Sequence, residues 1–208
     1  MLLAVRLVTQ GNRGKTTAGI DEVSKLTPKQ RLQLAKRLVM DGKASKIKRV
    51  FIPKAGGKLR PLDTPAMENL AKQMLMKLVL EPEWKARFEV NSYGFRPGYS
   101  TADDKWCIAR QLQGGPKFVL DAYIEKCFDQ SDHGFLLGQL NTIEAFHNQI
   151  KFWLKAGIMY ITLEESSEIN EAGTPQRGVL SPLLMNIALH GMETAVESEF
   201  GRNKIKLV

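Results

Sequence analysis

Val119-Leu-Asp-Ala-Tyr-Ile-Glu-Lys-Cys-Phe-Asp-Gln-Ser-Asp-His133 is the stretch on which the reading of this chain turns. It opens as a short apolar, β-prone run and becomes acidic and polar at once, the pattern of a strand that delivers carboxylates to its end. Asp121, Glu125, Asp129 and Asp132 lie close together there, beside the aromatic Phe128. On a chain with a formal net charge of +8, such a cluster suggests a divalent-metal site facing a polyanion. A plainer alternative uses the same residues: a strand end, a solvated turn and the N-cap of the next helix. The flanking sequence has to decide between them.

Composition sets the bounds. With 208 residues and 43% hydrophobic content, the chain is long enough for one full core or two small lobes. Its cysteines, Cys107 and Cys127, form no CxxC pair and have no histidine at zinc spacing. Neither a disulfide framework nor a structural zinc is indicated, and the expected setting is reducing: the cytoplasm of a prokaryote or the interior of an organelle. Lys43, Lys46, Lys48, Arg49, Lys54, Lys58 and Arg60 concentrate positive charge in the first half, which makes nucleic acid the expected partner. No 18-residue apolar run occurs, and Arg6 breaks the N-terminal apolar segment, so a soluble protein is expected rather than a membrane-spanning one.

Working outward from the central stretch, residues 133 to 140 and 144 to 156 read as helices, and Ile158 to Leu163 as a strand. The acidic segment from Glu164 to Glu171 reads as a loop or hairpin tip. Gly173 to Pro182 is a tight loop, with Ser181 and Pro182 opening a helix that runs to about Phe200. On the other side, Ser100 or Thr101 caps a helix that ends before Gly114-Gly115, and Asn91 to Ser100 is an aromatic, basic loop. Met67 to Phe88 has helical periodicity interrupted at Pro82. Arg49 to Asp63 reads as a basic hairpin with a Gly-Gly turn, and Thr27-Pro28 opens another helix. The glycine-rich loop at 9 to 21 contains Gly14-Lys15-Thr16, but Thr9 stands where a phosphate-binding Walker loop needs glycine.

Five of these stretches, taken in order, resemble the reverse-transcriptase domain of group II intron-encoded proteins. They are Gly11-Asn-Arg-Gly-Lys with Ala18-Gly-Ile-Asp21, Ile52-Pro-Lys with Gly57-Lys-Leu-Arg-Pro-Leu62, Asn91-Ser-Tyr-Gly-Phe-Arg-Pro-Gly98, Phe128-Asp129 with Asp132-His133, and Gly173-Thr-Pro-Gln with Ser181-Pro-Leu-Leu184. The resemblance implies an α+β right-hand polymerase: fingers with a partial palm, helix-rich with short antiparallel strands. Residues 1–115 would form a basic, RNA-facing fingers region. Residues 116–208 would form a partial palm with a return segment to the fingers. Carried over by position, Lys54 and Arg60 would contact a nucleotide triphosphate, Phe128 or its neighbour Cys127 would lie against its sugar, and Gln176 would touch the template–nucleotide pair. Lys15, Lys58 and Arg96 would hold RNA.

The departures are as informative. Where relatives carry Asp-Ile-x-x-x-Phe-Asp, this chain reads Tyr123-Ile-Glu-Lys-Cys-Phe128-Asp129, so a tyrosine takes the place of the first metal-binding aspartate. A neutral phenol is a poor substitute in a two-metal site. Asp121, two residues earlier, shares the strand face but is displaced by about 6–7 Å along it. Arg177 replaces a glycine of the family's Thr-Pro-Gln-Gly-Gly loop. The sequence closes at Val208, ahead of the Asp-Asp hairpin, thumb and maturase extension that the resemblance leads one to expect. No intact catalytic set or metal site is therefore expected, and no cofactor unless Mg²⁺ joins a restored polymerase. The leading expectation is an RNA-binding relative without polymerase activity of its own, acting as a maturase-like or ribonucleoprotein subunit. The alternatives are an RNA-directed DNA polymerase completed by a second chain and a structural subunit of a larger assembly. The three histidines are too scattered for a metal site, and Trp84, Trp106 and Trp153 are expected in the core.

Overall fold

The computed structural model describes residues 1–11, 17–53, 57, 59–160, 167–168, 172–174, 178–201 and 205–208. Its spine is the helix α3, Met67–Arg87, which runs unbroken through Pro82. Sequence periodicity predicts an interruption there, because proline lacks the N–H for the i−4 bond. Burial of Met76, Leu80 and Trp84 on both sides of the proline outweighs that single lost bond, since each such side chain contributes about 1.5–3 kcal/mol.

Two apolar clusters are strung along α3. Its first turns, Met67, Leu70 and Ala71, pack with Val5 and Val8 and with Leu34, Ala35 and Leu38. Val5 belongs to α1, Leu2–Arg6, and Val8 to the π-helical turn that follows it, Leu7–Gly11. Leu34 and Ala35 belong to α2, Pro28–Arg37. The later turns of α3 pack with α6, His133–Gln139, α7, Glu144–Leu154, and α8, Ser181–Leu189. Leu136, Ile150, Trp153, Leu154, Leu183 and Ile187 interlock there around Leu80 and Trp84.

Local signals place the helix starts. Thr27 and Gln30 form a capping box ahead of Pro28, and Ser100 and Asp103 form another ahead of α4, Thr101–Gln111. The last predicted helix is instead two, α8 and α9, Met192–Phe200, parted at Gly191 with φ +97°.

The sheet is small and mixed. Strands β1, Ile47–Pro53, β2, Leu59–Thr64, β3, Ile158–Tyr160, and β4, Ser167–Glu168, lie in the order β2-β1-β3-β4. The β1–β2 hairpin is antiparallel, as expected, and Arg49 stands opposite Asp63 in its register. Arg49 grips that buried carboxylate through both ends of its fork, Nε to Oδ1 at 2.6 Å and Nη2 to Oδ2 at 2.8 Å. The β3–β4 pair is antiparallel as well, and the β1–β3 pair between them is parallel, which makes the sheet mixed. Parallel pairing requires a long crossover, here β2 and the helices α3 to α7 that follow it.

The largest correction concerns residues 116–124. They carry no strand and form no ladder with any described residue. A strand is stable only when its N–H and C=O groups find a neighbour, and apolar β-prone composition cannot supply one.

Candidate functional site

The motifs met in order along the sequence become a set of physical ties. Gly19 packs so closely on Pro65 that a Cβ would sit 2.5 Å from its carbonyl oxygen. That approach lets Asp21 Oδ2 accept from the Met67 N–H at 2.7 Å. Ala66, the N-cap of α3, has no capping side chain of its own, so Asp21 satisfies an open donor of the spine helix from 46 residues away. The Gly-Ile-Asp stretch thereby sets the position of α3.

Arg96 turns inward. Its guanidinium donates from Nη1 to the carbonyls of Glu89 and Ser92 and from Nη2 to Lys85 O, near the end of α3. It lies 4.8 Å from the Tyr99 ring centroid and 5.5 Å from that of Phe88. Buried and committed to three carbonyls, Arg96, expected on RNA, is in this structure a tie for the Asn91–Gly98 loop. The same loop is fastened to the C-terminal helices by Asn186 Nδ2 to Gly94 O at 2.7 Å and Asn91 Nδ2 to Glu193 Oε1 at 2.6 Å. Tyr93 stands edge-on to Tyr99, and its hydrogen bond with Cys107 helps push the phenol up to about 12. Phe95, exposed and at φ +56°, is the loop's unusual residue, a backbone region that bulky side chains seldom adopt.

The end of the organising stretch meets the last motif. Gly173, at φ +84°, sits where a Cβ would be 2.6 Å from the carbonyl oxygens of both Phe128 and Asp129. Its N–H donates to Ser131 O at 2.9 Å, and the Thr174 N–H donates to Phe128 O at 2.6 Å. His133 Nε2 lies 2.7 Å from Gly173 O. A carbonyl only accepts, so the ring hydrogen sits on Nε2. Phe128 belongs to α5, Cys127–Gln130, a single turn opened by Lys126 at φ +50°.

The four carboxylates separate in role. Asp132 accepts from the Phe135 N–H at 2.5 Å and caps α6, the plainer of the two sequence readings. Asp121, Glu125 and Asp129 are exposed. Tyr123 is 91% exposed, and Phe118 and Leu120 stand out in solvent with it. Among the described residues, no group of three or more His, Cys, Asp or Glu side chains is placed to hold a metal ion. The donor set around Tyr123 does not fit a two-metal centre, in which carboxylates must converge on both cations.

Lys15, Lys54, Lys58, Gln176 and Arg177 lie outside the described residues. Arg60 pairs with Ile52 through the β1–β2 register, and its side chain lies outside them as well. Of the tryptophans, Trp84 and Trp153 are in the core, while Trp106 is on the surface under the Arg110 guanidinium.

Residues 52–208 match the family described as reverse transcriptase (RNA-dependent DNA polymerase). The chain belongs to the reverse-transcriptase family. Residues 1–38 match the N-terminal domain of reverse transcriptase, the segment that builds the first apolar cluster on α3. The YkfC protein of Escherichia coli (strain K12) is 30% identical over 96% of this chain and 55% of its own length. The group II intron-encoded protein LtrA of Lactococcus lactis subsp. cremoris is 31% identical over 89% of the chain and 31% of its own length. A 91 kDa protein in the cob intron of Schizosaccharomyces pombe is 32% identical over 73% of the chain. The chain thus spans about half of YkfC and under a third of LtrA. Among solved structures, a chain of a partial Cas6-RT-Cas1–Cas2 complex shares the reverse-transcriptase fold over 94% of this chain and 34% of its own, with a TM-score of 0.51 and 22% identity.

Proposed function

We propose that this reverse-transcriptase domain binds structured RNA and, through its own residues, does not polymerise, acting as a maturase-like or ribonucleoprotein subunit. One observation supports the second half of that reading: Tyr123, which by resemblance stands where relatives carry the first metal-binding aspartate, projects into solvent. The RNA half rests on family membership and on the +8 charge excess, which favours a polyanion. Lys15, Lys54, Lys58 and Arg60 are assigned to RNA or nucleotide phosphate, and residues 1–115 to the RNA-facing fingers. Binding of a structured group II intron RNA is expected to weaken steeply with salt and on replacing Lys54 and Arg60 by glutamine. Affinity indifferent to both changes overturns the reading.

A second reading has its own observation. Phe118 to Ile124 is an apolar, β-prone segment standing in solvent, the condition of a strand awaiting neighbours. In this reading further palm strands pair with it and bring the remaining carboxylates, restoring an RNA-directed DNA polymerase. Primer extension by Tyr123→Asp, supplied with such strands in Mg²⁺ or Mn²⁺, supports it; silence under those conditions counts against it.

A further inference from the structure

A groove of about 650 Å³ opens between the loop after α2 and the outer face of α7, lined by Met40, Gly42, Asn148, Lys151, Phe152 and Lys155. Its walls are fixed from beneath. Gln149 is fully buried, and its Oε1 accepts from the Gly42 N–H at 3.0 Å while its Nε2 donates to Lys43 O at 2.9 Å. One side-chain amide therefore clamps the loop to the helix. Gly42 takes φ +67°, and a Cβ there would lie 3.3 Å from Phe152 Cε2, so the absence of a side chain lets the ring rest on the loop.

Phe152 remains 51% exposed, which a core aromatic is not. Lys151 and Lys155, one helical turn apart, both line the groove and are exposed. The carboxylate on the loop, Asp41, is held by Lys72 Nζ at 2.8 Å, and Glu144 stands at the far end of α7, two turns before Lys151. The groove thus joins a held aromatic face to two lysines that form no ion pair among the described residues. A solvated helix face explains the lysines alone, but it does not explain a half-exposed phenylalanine seated on a clamped glycine.

We infer that this groove takes a single-stranded RNA segment, one base stacking on Phe152 and the flanking phosphates meeting Lys151 and Lys155. Stacking on an aromatic and phosphate contact by cations is the chemistry by which unpaired strands are held without sequence readout. The inference rests on the RNA-binding reading above and adds a location and a strand type to it.

The test compares a fluorescent RNA hairpin with and without an unpaired uridine tail, binding the full chain across a salt series. For the unaltered chain the tail should raise affinity roughly tenfold, within the range expected of base–aromatic stacking. Phe152→Leu, which keeps an apolar contact on Gly42 but has no ring face, should abolish that gain while leaving thermal unfolding unchanged. Lys151→Gln with Lys155→Gln should lower the slope of log affinity on log salt by about 1.4, as two lost single-strand phosphate contacts require. If the chain binds both RNAs but the tail and the variants change nothing, this inference is overturned and the RNA-binding reading stands. If the chain binds neither RNA, both are overturned. Loss of a protein partner with Phe152→Leu, at unchanged RNA affinity, would reassign the groove to protein docking.

Discussion

At the residue scale, the fold depends on a few close approaches and buried charges whose replacement has calculable cost. Gly173→Ala would combine a strained φ of +84° with a methyl group driven toward the Phe128 and Asp129 carbonyls. A loss of about 1–3 kcal/mol is expected from the backbone conformation alone, read as a fall in the urea midpoint. Arg49→Ala leaves Asp63 buried opposite an empty position in the hairpin register, and stability should drop by about 3–5 kcal/mol. Asp41 gives a pH signature. Its side-chain hydrogen bond with the Lys72 ammonium holds the carboxyl below its ordinary value. A carboxyl lowered by folding stabilises above its unfolded pKa of about 4 and loses that contribution as the pH falls through the folded value. Asp41→Asn should therefore lower stability at neutral pH and flatten the decline in acid, seen in urea unfolding across that range. The modest size of the effect follows from the exposure of Asp41, which lets water screen the pair.

Elements show which parts of the chain carry their own instructions. Asp21→Ala removes the only side-chain cap observed on α3 among the described residues and should cost about 1 kcal/mol, while Asp21→Asn retains much of it. Hydrogen exchange should find α3 strongly protected and residues 116–124 exchanging near the free rate, because the former is cased in two clusters and the latter is unpaired. Protection across 116–124 in the isolated chain would contradict this. The caps at Thr27, Ser100 and Asp132 could be read directly from sequence, since each bonds within three residues of itself. The hairpin and most helices were legible for the same reason. What sequence could not supply was tertiary. Arg96 reads as an RNA cation until its guanidinium is seen caged by carbonyls, and Asp21 reads as a loop acid until its long-range cap is seen. Pro82 reads as a break until its neighbours are seen buried. The Phe118–Ile124 run reads as a strand because propensity says nothing about whether a partner is present.

At the scale of the whole molecule, this is a reverse-transcriptase domain organised by α3, to which the Gly19–Asp21 stretch and the Asn91–Gly98 loop are bonded, while the Phe128–His133 and Gly173 motifs are bonded to each other. The order of those motifs identified the family from sequence, and the same stretch that carried the identification, Val119 to His133, carries its main departure. The candidate site was partly legible: Phe128 and the Gly173 loop do meet, while the Phe152 groove carried no motif and emerged only when α7 and the loop at Gly42 were brought together. RNA affinity without chemistry is the expected behaviour of the chain. Its most direct test is a single reaction in which the chain is bound to a structured RNA template carrying an annealed primer, with deoxynucleotides and Mg²⁺ or Mn²⁺. The expected result is a salt-sensitive complex with no primer extension; a primer lengthened by the unaltered chain would contradict it.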